Sequence, residues 1–133
     1  MIFCVTLPNK RSYMEKHLYV SAEEALSLIQ SNQRVFFHGS AATPLYLINE
    51  LAKQKDRLRN VEIVSITLQG DIEITKPEYR DAFYINSLFV SMPIREAVNS
   101  GRADYIPVFL SDSPELFEGD LLPLDVAVVK VSP

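Results

Sequence analysis

Cysteine occurs once in the 133 residues, as Cys4, and histidine only twice. A lone thiol forbids an intrachain disulfide, which fits a reducing cytoplasm. Among Ile2, Phe3 and Val5 it reads as a buried side chain rather than a nucleophile. One cysteine and two histidines also leave little from which to build a zinc site. Positive charge is scarce: 13 basic side chains stand against 17 acidic ones, for a net charge of −4. Duplex binders carry a basic stripe, so nucleic acid is not an expected partner. No apolar run approaches membrane-spanning length, so a membrane is not one either. Ile2–Leu7 is too short for a signal-peptide core, and no small-residue cleavage site follows it. The four glycines do not form a dinucleotide fingerprint, and the one small-residue loop lacks the lysine of a phosphate loop. What remains, 47% hydrophobic and 23% charged, is the composition of one globular domain long enough for a sizeable core.

The chain is organised around Arg34–Ala52. Val35, Phe36 and Phe37 form a short apolar run, the mark of a buried strand. Gly39 ends it, and Ser40 to Thr43 are small residues that leave room for a ligand. Thr43 offers a helix N-cap, and Pro44 suits the first helical position, where its missing N–H costs nothing. Leu45, Leu47, Ile48 and Leu51 give the helix one apolar stripe. Strand, small-residue loop and helix start together aim free N–H groups and a positive dipole end above the loop. A tight turn that needs small residues only for packing leaves the same pattern, so the motif alone does not decide between packing and an anion or acyl site.

Upstream, Met1–Leu7 reads as a short strand or a lead-in, and Pro8–Lys16 as a loop. Val20-Ser21-Ala22-Glu23-Glu24 is a capping box, with Ser21 as N-cap and Glu24 three residues on. Its helix ends near Ser31-Asn32. The basic cluster Lys53, Lys55, Arg57 and Arg59 is interrupted by Asp56 and lies at a helix end, where cations complement the dipole. Val61–Leu68 alternates as a strand, closed by Gln69-Gly70-Asp71. Pro77–Phe83 reads as a short helix, Leu88–Val90 as a buried strand, and Ile94–Asn99 as a helix stopped by Gly101. Tyr105–Leu110 reads as a strand in which Pro107 marks an edge position, a bend or a non-ladder site. Ser111–Pro114 leads into one helical turn, Glu115–Phe117, and Leu124–Val131 is the final strand.

Alternating strands and helices, with several continuous apolar strands, predict an α/β fold: a mostly parallel open sheet with helices on both faces. Ligands of such sheets bind beyond the carboxyl ends of the strands. Four loops qualify: Gly39–Thr43, Gln69–Asp71, Ser91–Pro93 and Ser111–Pro114.

Arg95 to Phe117 carries the most specific signal. It contains Gly101-Arg102-Ala103-Asp104-Tyr105, one residue, Pro107, then Ser111, two residues and Pro114. This pattern closely resembles the acetyl-CoA hydrolase/transferase family, which includes 4-hydroxybutyrate and acetate CoA-transferases. Val20–Ala25, Leu58–Val64, Pro77-Glu78-Tyr79 and Leu124–Pro133 are similar to family segments in the same order. The resemblance spans about residues 18–133 and implies the amino-terminal domain alone, after a lead-in of residues 1–17 and truncated before the catalytic carboxyl-terminal domain.

The resemblance implies a mechanism in which a glutamate of that carboxyl-terminal domain forms an acyl-glutamyl anhydride and then a glutamyl-CoA thioester. No catalytic residue is then expected here; Glu50, Glu62, Glu73, Glu78, Glu96, Glu115 and Glu118 read as solvated charges. Expected substrate-binding residues are Gly39, Ser40, Thr43, Pro44, Gln69, Gly70, Ser91, Met92, Arg95 and Ser111. Arg95 would meet a carboxylate bidentately, with a surface pair to Glu96 as the alternative. Asp104 would brace Arg102. His38 reads as a packed histidine for want of a partner that would make it an acid or base. Coenzyme A is expected as a substrate, with no permanently bound cofactor. The expected partners are an acyl-CoA, a short-chain carboxylate, the protein's own carboxyl-terminal domain and further copies in a homo-oligomer. A hydrolase of the same family is an alternative. So is a non-catalytic binding module on a sheet shared with sugar-phosphate isomerases and translation-factor subunits. A domain parted from its partner would expose an apolar face, with Tyr46, Met92, Phe109, Phe117 and Leu122 as contributors.

Overall fold

The computed structural model describes the backbone of residues 2–6 and all of residues 20–130. Six strands form one sheet: β1 (Ile2–Thr6), β2 (Arg34–Phe37), β3 (Val61–Ser65), β4 (Phe83–Ser87), β5 (Ala103–Tyr105) and β6 (Val126–Lys130). Their order is β1-β6-β2-β3-β4-β5. β6, β2, β3, β4 and β5 run parallel, and β1 closes one edge antiparallel to β6. The reading of Pro8–Lys16 as a loop, the burial of the Cys4 side chain and the family match at Val131–Pro133 lie outside the described residues.

Four helices connect these strands: α1 (Ala22–Leu26), α2 (Leu45–Ala52), α3 (Met92–Asn99) and α4 (Ser113–Glu118). From β2 to β5 each strand lies beside its predecessor, so right-handed crossovers put the connections on one face. β5 to β6 returns across the sheet, which sends α4 to the other face. The side chains agree. Val35, Phe37, Val61, Ile63, Phe83, Ile85, Val126 and Val128 form one core with Leu26, Leu47, Ile48, Leu51, Ile94 and Ala97 of α1, α2 and α3. Phe36 points the opposite way and meets Phe117 of α4 edge-on, 5.6 Å between ring centres. Helices thus lie on both faces of a mostly parallel sheet.

Ser21 caps α1 as expected, accepting the Glu24 N–H at 3.1 Å. That helix stops at Leu26, well short of Ser31. Its end is held from outside: the Arg57 guanidinium donates to the Leu26 and Ile29 carbonyls at 2.8 and 2.7 Å. Of the basic cluster, Arg57 thus serves a helix end, that of α1, whereas Lys53 pairs with Glu50 at 2.5 Å and Lys55 lies over the Tyr79 ring.

Several element boundaries differ from the sequence reading. α2 begins at Leu45 with Pro44 as its N-cap, because the Thr43 hydroxyl donates to the Ser40 carbonyl instead of capping. Pro77–Phe83 gives only a 3-10 turn, Pro77–Tyr79, and Phe83 already belongs to β4. The strand placed at Leu88–Val90 is β4, five residues earlier. Phe83, Ile85 and Ser87 alternate inward, and Leu88 makes the last bond, donating to the Ser65 carbonyl. The strand placed at Tyr105–Leu110 is β5, which ends at Tyr105. Ile106 still donates to Ser87, but Pro107 has no N–H to continue the ladder.

Candidate functional site

At the carboxyl ends of β2 and β3 two loops are tied together. Ser40 N–H donates to the Thr67 carbonyl at 2.8 Å, and Gln69 N–H donates to the Thr43 hydroxyl at 3.2 Å. Gly39 makes this approach possible: a Cβ there would stand 2.4 Å from the Thr67 carbonyl oxygen. Ser40 then turns through a positive φ of 53°, a conformation that side chains rarely adopt and that recurs at functional sites. Gly70, at φ +100°, lies flat on Leu45, the first residue of α2. Asn49 of α2 brackets the turn after Gly70, its amide donating to the Asp71 carbonyl and accepting the Glu73 N–H, both at 3.1 Å.

The third loop joins the second through Ser91. Its buried hydroxyl donates to the Leu68 carbonyl at 2.5 Å, so it ties loops together and leaves the first turn of α3 without a side-chain cap. A third linked turn, Ser87 Oγ to the Phe89 carbonyl at 2.8 Å, bends the chain out of β4.

Of the ten expected site residues, Ser40, Gln69, Gly70, Met92, Arg95 and Ser111 present themselves to solvent. Gly39 and Thr43 are half-buried, and Pro44 and Ser91 are buried. Loops 39–43, 67–70 and Ser91 form one hydrogen-bonded unit. Ser111 follows β5 in a 3-10 turn, and its hydroxyl donates to Asp112 at 2.7 Å.

Arg95 makes no ion pair among the described residues. Glu96 is taken by Arg102, 3.3 Å away. A cation in the first turn of a helix stands against the dipole, so Arg95 adds its charge to the positive end of α3 where an anion would relieve both. Arg102 also donates to the Ser100 hydroxyl at 3.0 Å and to the Thr75 carbonyl, clamping the end of α3 to the segment before β4. Asp104 does not brace it. The Asp104 carboxylate instead holds the Tyr84 hydroxyl on the neighbouring strand. That hydrogen bond, followed by burial, pushes the Tyr84 phenol up to about 12.

His38 extends β2, its N–H donating to the Val128 carbonyl at 2.9 Å. Its Nδ1 is buried and without a hydrogen-bond partner, so no described residue orients it for proton transfer. Sequence reasoning missed Thr67, Asn49 and Ser65. Ser65 ends β3 fully buried beside Gly39, with its hydroxyl unpartnered. Asn49 had a signal, since an asparagine within an apolar helix stripe usually serves a backbone partner. Thr67 acts through its main chain, which leaves no mark in the sequence. Among the described residues no three potential metal ligands cluster, and no helix is long and apolar enough to cross a membrane.

The comparisons with known proteins agree on one family. 4-Hydroxybutyrate coenzyme A transferase of Clostridium kluyveri is 44% identical over 120 residues, covering 90% of this chain and 28% of that protein. Succinyl-CoA:acetate/propanoyl-CoA:succinate CoA transferase of Fasciola hepatica is 35% identical over 115 residues, covering 85% of this chain and 24% of that one. The crystal structure of RipA from Yersinia pestis has the same fold, with a TM-score of 0.67 at 22% identity over 77% of this chain and 26% of that one. The chain therefore spans about a quarter of the length of the relatives it matches. Residues 5–133 match the acetyl-CoA hydrolase/transferase N-terminal domain, and the chain belongs to that family.

Proposed function

We propose that this chain is the amino-terminal domain of an acyl-CoA:carboxylate CoA-transferase acting on acetyl-CoA or another short acyl-CoA. The observation that carries the reading is Arg95. It is exposed, without an ion pair among the described residues, and set in the first turn of α3, the helix whose N-cap Ser91 is tied to the Leu68 carbonyl and so to the hydrogen-bonded loops that carry the Ser40 hydroxyl and the Gln69 side-chain amide. Two positive features and two neutral donors suit a carboxylate or a thioester carbonyl better than a cation. The names of the relatives, each a CoA transferase, support the same chemistry.

In this reading the nucleophile is a glutamate on the polypeptide that completes the active site. Its carboxylate attacks the thioester carbonyl and expels the CoA thiolate, leaving an acyl-glutamyl anhydride. The thiolate then attacks the glutamyl carbonyl, releases the first carboxylic acid and forms a glutamyl-CoA thioester. A second carboxylate reverses the sequence and leaves as the new acyl-CoA. Coenzyme A enters and leaves as substrate. This domain contributes orientation. It holds the incoming carboxylate by Arg95, Ser40 and the Gln69 loop, and gives the reacting atoms one wall that does not rearrange.

The test is CoA transfer from acetyl-CoA to a panel of short carboxylic acids, run on the polypeptide from the complete reading frame and on the 133-residue chain. Transfer by the longer form alone is the expected result. Arg95→Ala in that form should raise KM for the acid by at least about tenfold, the effect of losing one charge-assisted contact. No transfer to any acid in either form would sink the assignment.

A further inference from the structure

The two edges of the sheet are finished differently. β5, at one edge, is three residues long, has Asp104 at its centre and is followed by Ile106 and Pro107. Shortness, charge and proline are the devices that keep an edge strand from pairing with another chain. β1, at the other edge, has none of them. Ile2-Phe3-Cys4-Val5-Thr6 is a five-residue strand rich in β-prone residues, without charge, proline or glycine. It is the end strand among the described residues.

Hydrogen bonding decides which main-chain groups of β1 are free. The Val128 carbonyl accepts the His38 N–H at 2.9 Å, so Val128 turns its main-chain groups toward β2. Residues alternate along a strand, and Ala127 and Val129 therefore turn theirs toward β1, where Val5 and Phe3 stand opposite them. Phe3 and Val5 thus spend their N–H and C=O groups on β6, while Ile2, Cys4 and Thr6 point theirs out of the sheet. The free edge is symmetric about Cys4, the middle of the strand.

We infer that β1 is a homodimerisation edge: a second copy of this chain pairs with it antiparallel, about a two-fold axis through Cys4, and joins two six-stranded sheets into one. A two-fold axis normal to a sheet sets an edge strand antiparallel to itself, the self-complementary contact of a symmetric dimer. Centred on Cys4, it places Ile2 opposite Thr6 of the second copy and Cys4 opposite Cys4. All three free residues then pair, with about six hydrogen bonds. A centre at any other residue leaves at least one of them without a partner in β1. No charged side chain opposes the pairing, since β1 has none. The family match begins at residue 5, so this edge belongs mostly to this chain and not to the fold it shares with its relatives. Five residues a side is little beside the roughly 800 Å² per partner of a stable complex, so the pair forms and separates with concentration.

Cys4 is the sole cysteine and reports the register itself. In the pair the two Cys4 Cα atoms stand about 5.5 Å apart, within disulfide reach. Sedimentation of the 133-residue chain under reducing conditions should show a dimer that grows with concentration. Cys4→Pro removes an outward N–H and leaves the bonds to β6, so it should sediment as a monomer with an unchanged circular dichroism spectrum. Cys4→Lys, which sets like charges opposite each other, should do the same. Mild copper-catalysed oxidation should join two chains through Cys4 at least about tenfold faster than through Ile2→Cys in a Cys4→Ser background. Ile2→Cys and Thr6→Cys chains mixed in that background should crosslink to each other. A monomer at every concentration, a dimer that both Cys4→Pro and Cys4→Lys leave intact, or equal crosslinking at positions 2 and 4 would overturn the inference. So would a polypeptide from the complete reading frame that stays uncrosslinked at Cys4 where the 133-residue chain crosslinks, since the chain's own continuation would then hold the edge.

Discussion

The Thr43 hydroxyl accepts the Gln69 N–H at 3.2 Å and donates to the Ser40 carbonyl at 2.8 Å, so one side chain fixes the spacing of two loops 26 residues apart. Thr43→Val keeps the shape and removes both bonds. We expect a loss of about 1–2 kcal/mol in urea unfolding and faster amide exchange at Gln69, with Thr43→Ser restoring both. Unchanged exchange at Gln69 would show that the loops are held by Ser40 and Thr67 alone.

Gly39 and Gly101 are required for different reasons. At Gly39 the obstacle is space, with the Thr67 carbonyl oxygen 2.4 Å from an added Cβ. Gly39→Ala should cost roughly 1–3 kcal/mol and loosen the first loop. At Gly101 nothing stands within 4 Å, but φ is +71°. Gly101→Ala should cost about 1 kcal/mol, and Gly101→Asn less, because asparagine tolerates that region. Equal costs for both alanine variants together with a tolerant loop at Gly39 would contradict this division.

The Arg57 latch makes a local prediction. Its guanidinium donates to the carbonyl of Leu26, the last residue of α1, and to that of Ile29 just beyond it. A five-residue helix has little stability of its own, so an outside donor decides whether it persists. Arg57→Ala should release about 1–2 kcal/mol of stabilisation and raise amide exchange throughout α1, with β3 unaffected. Arg57→Lys should recover less than half, since one ammonium does not span both carbonyls as the planar fork does.

These features mark how far the sequence could be read. The apolar stripe of Leu47, Ile48 and Leu51 and the runs at Val35–Phe37 and Val126–Lys130 were legible because burial is written in hydrophobicity. The same rule misplaced β4. Leu88-Phe89-Val90 is more apolar than Phe83–Ser87, yet Phe89 is 65% exposed; the sequence does not distinguish an apolar residue that the core takes in from one that it leaves at the surface. Pro107 is a non-ladder site, as one of its readings had it, and it follows an edge strand that stops at Tyr105. The Gly101–Tyr105 pattern was the most recognisable segment, and its residues turn out to brace α3, β4 and β5. The rule for strand ends placed the loops that follow β2 and β3, but the bond from Gln69 to Thr43 was missed, because hydroxyl partners across 26 residues depend on the fold and not on local order.

The Tyr84–Asp104 contact gives a pH signature. The hydrogen bond to Asp104 is the largest reason the Tyr84 phenol rises from 10 to about 12, with burial next and the charges of Asp104 and Glu62 after it. The folded chain therefore holds this proton more tightly than the unfolded chain. Its contribution to stability is complete below pH 10 and is lost as pH climbs through about 12. The phenol is a third exposed, so solvent screens the interaction and the effect on overall stability is small. Titration is the sharper measurement. Tyrosinate absorbance of the wild type minus Tyr84→Phe should give one phenol with a midpoint near 12, followed alongside circular dichroism to confirm that the chain is still folded. Asp104→Asn should bring that midpoint back toward 10, because the strongest acceptor and its charge go together. A midpoint that stays near 12 in Asp104→Asn would transfer the cause to burial against the sheet, and with it the reading of Asp104 as the partner of Tyr84.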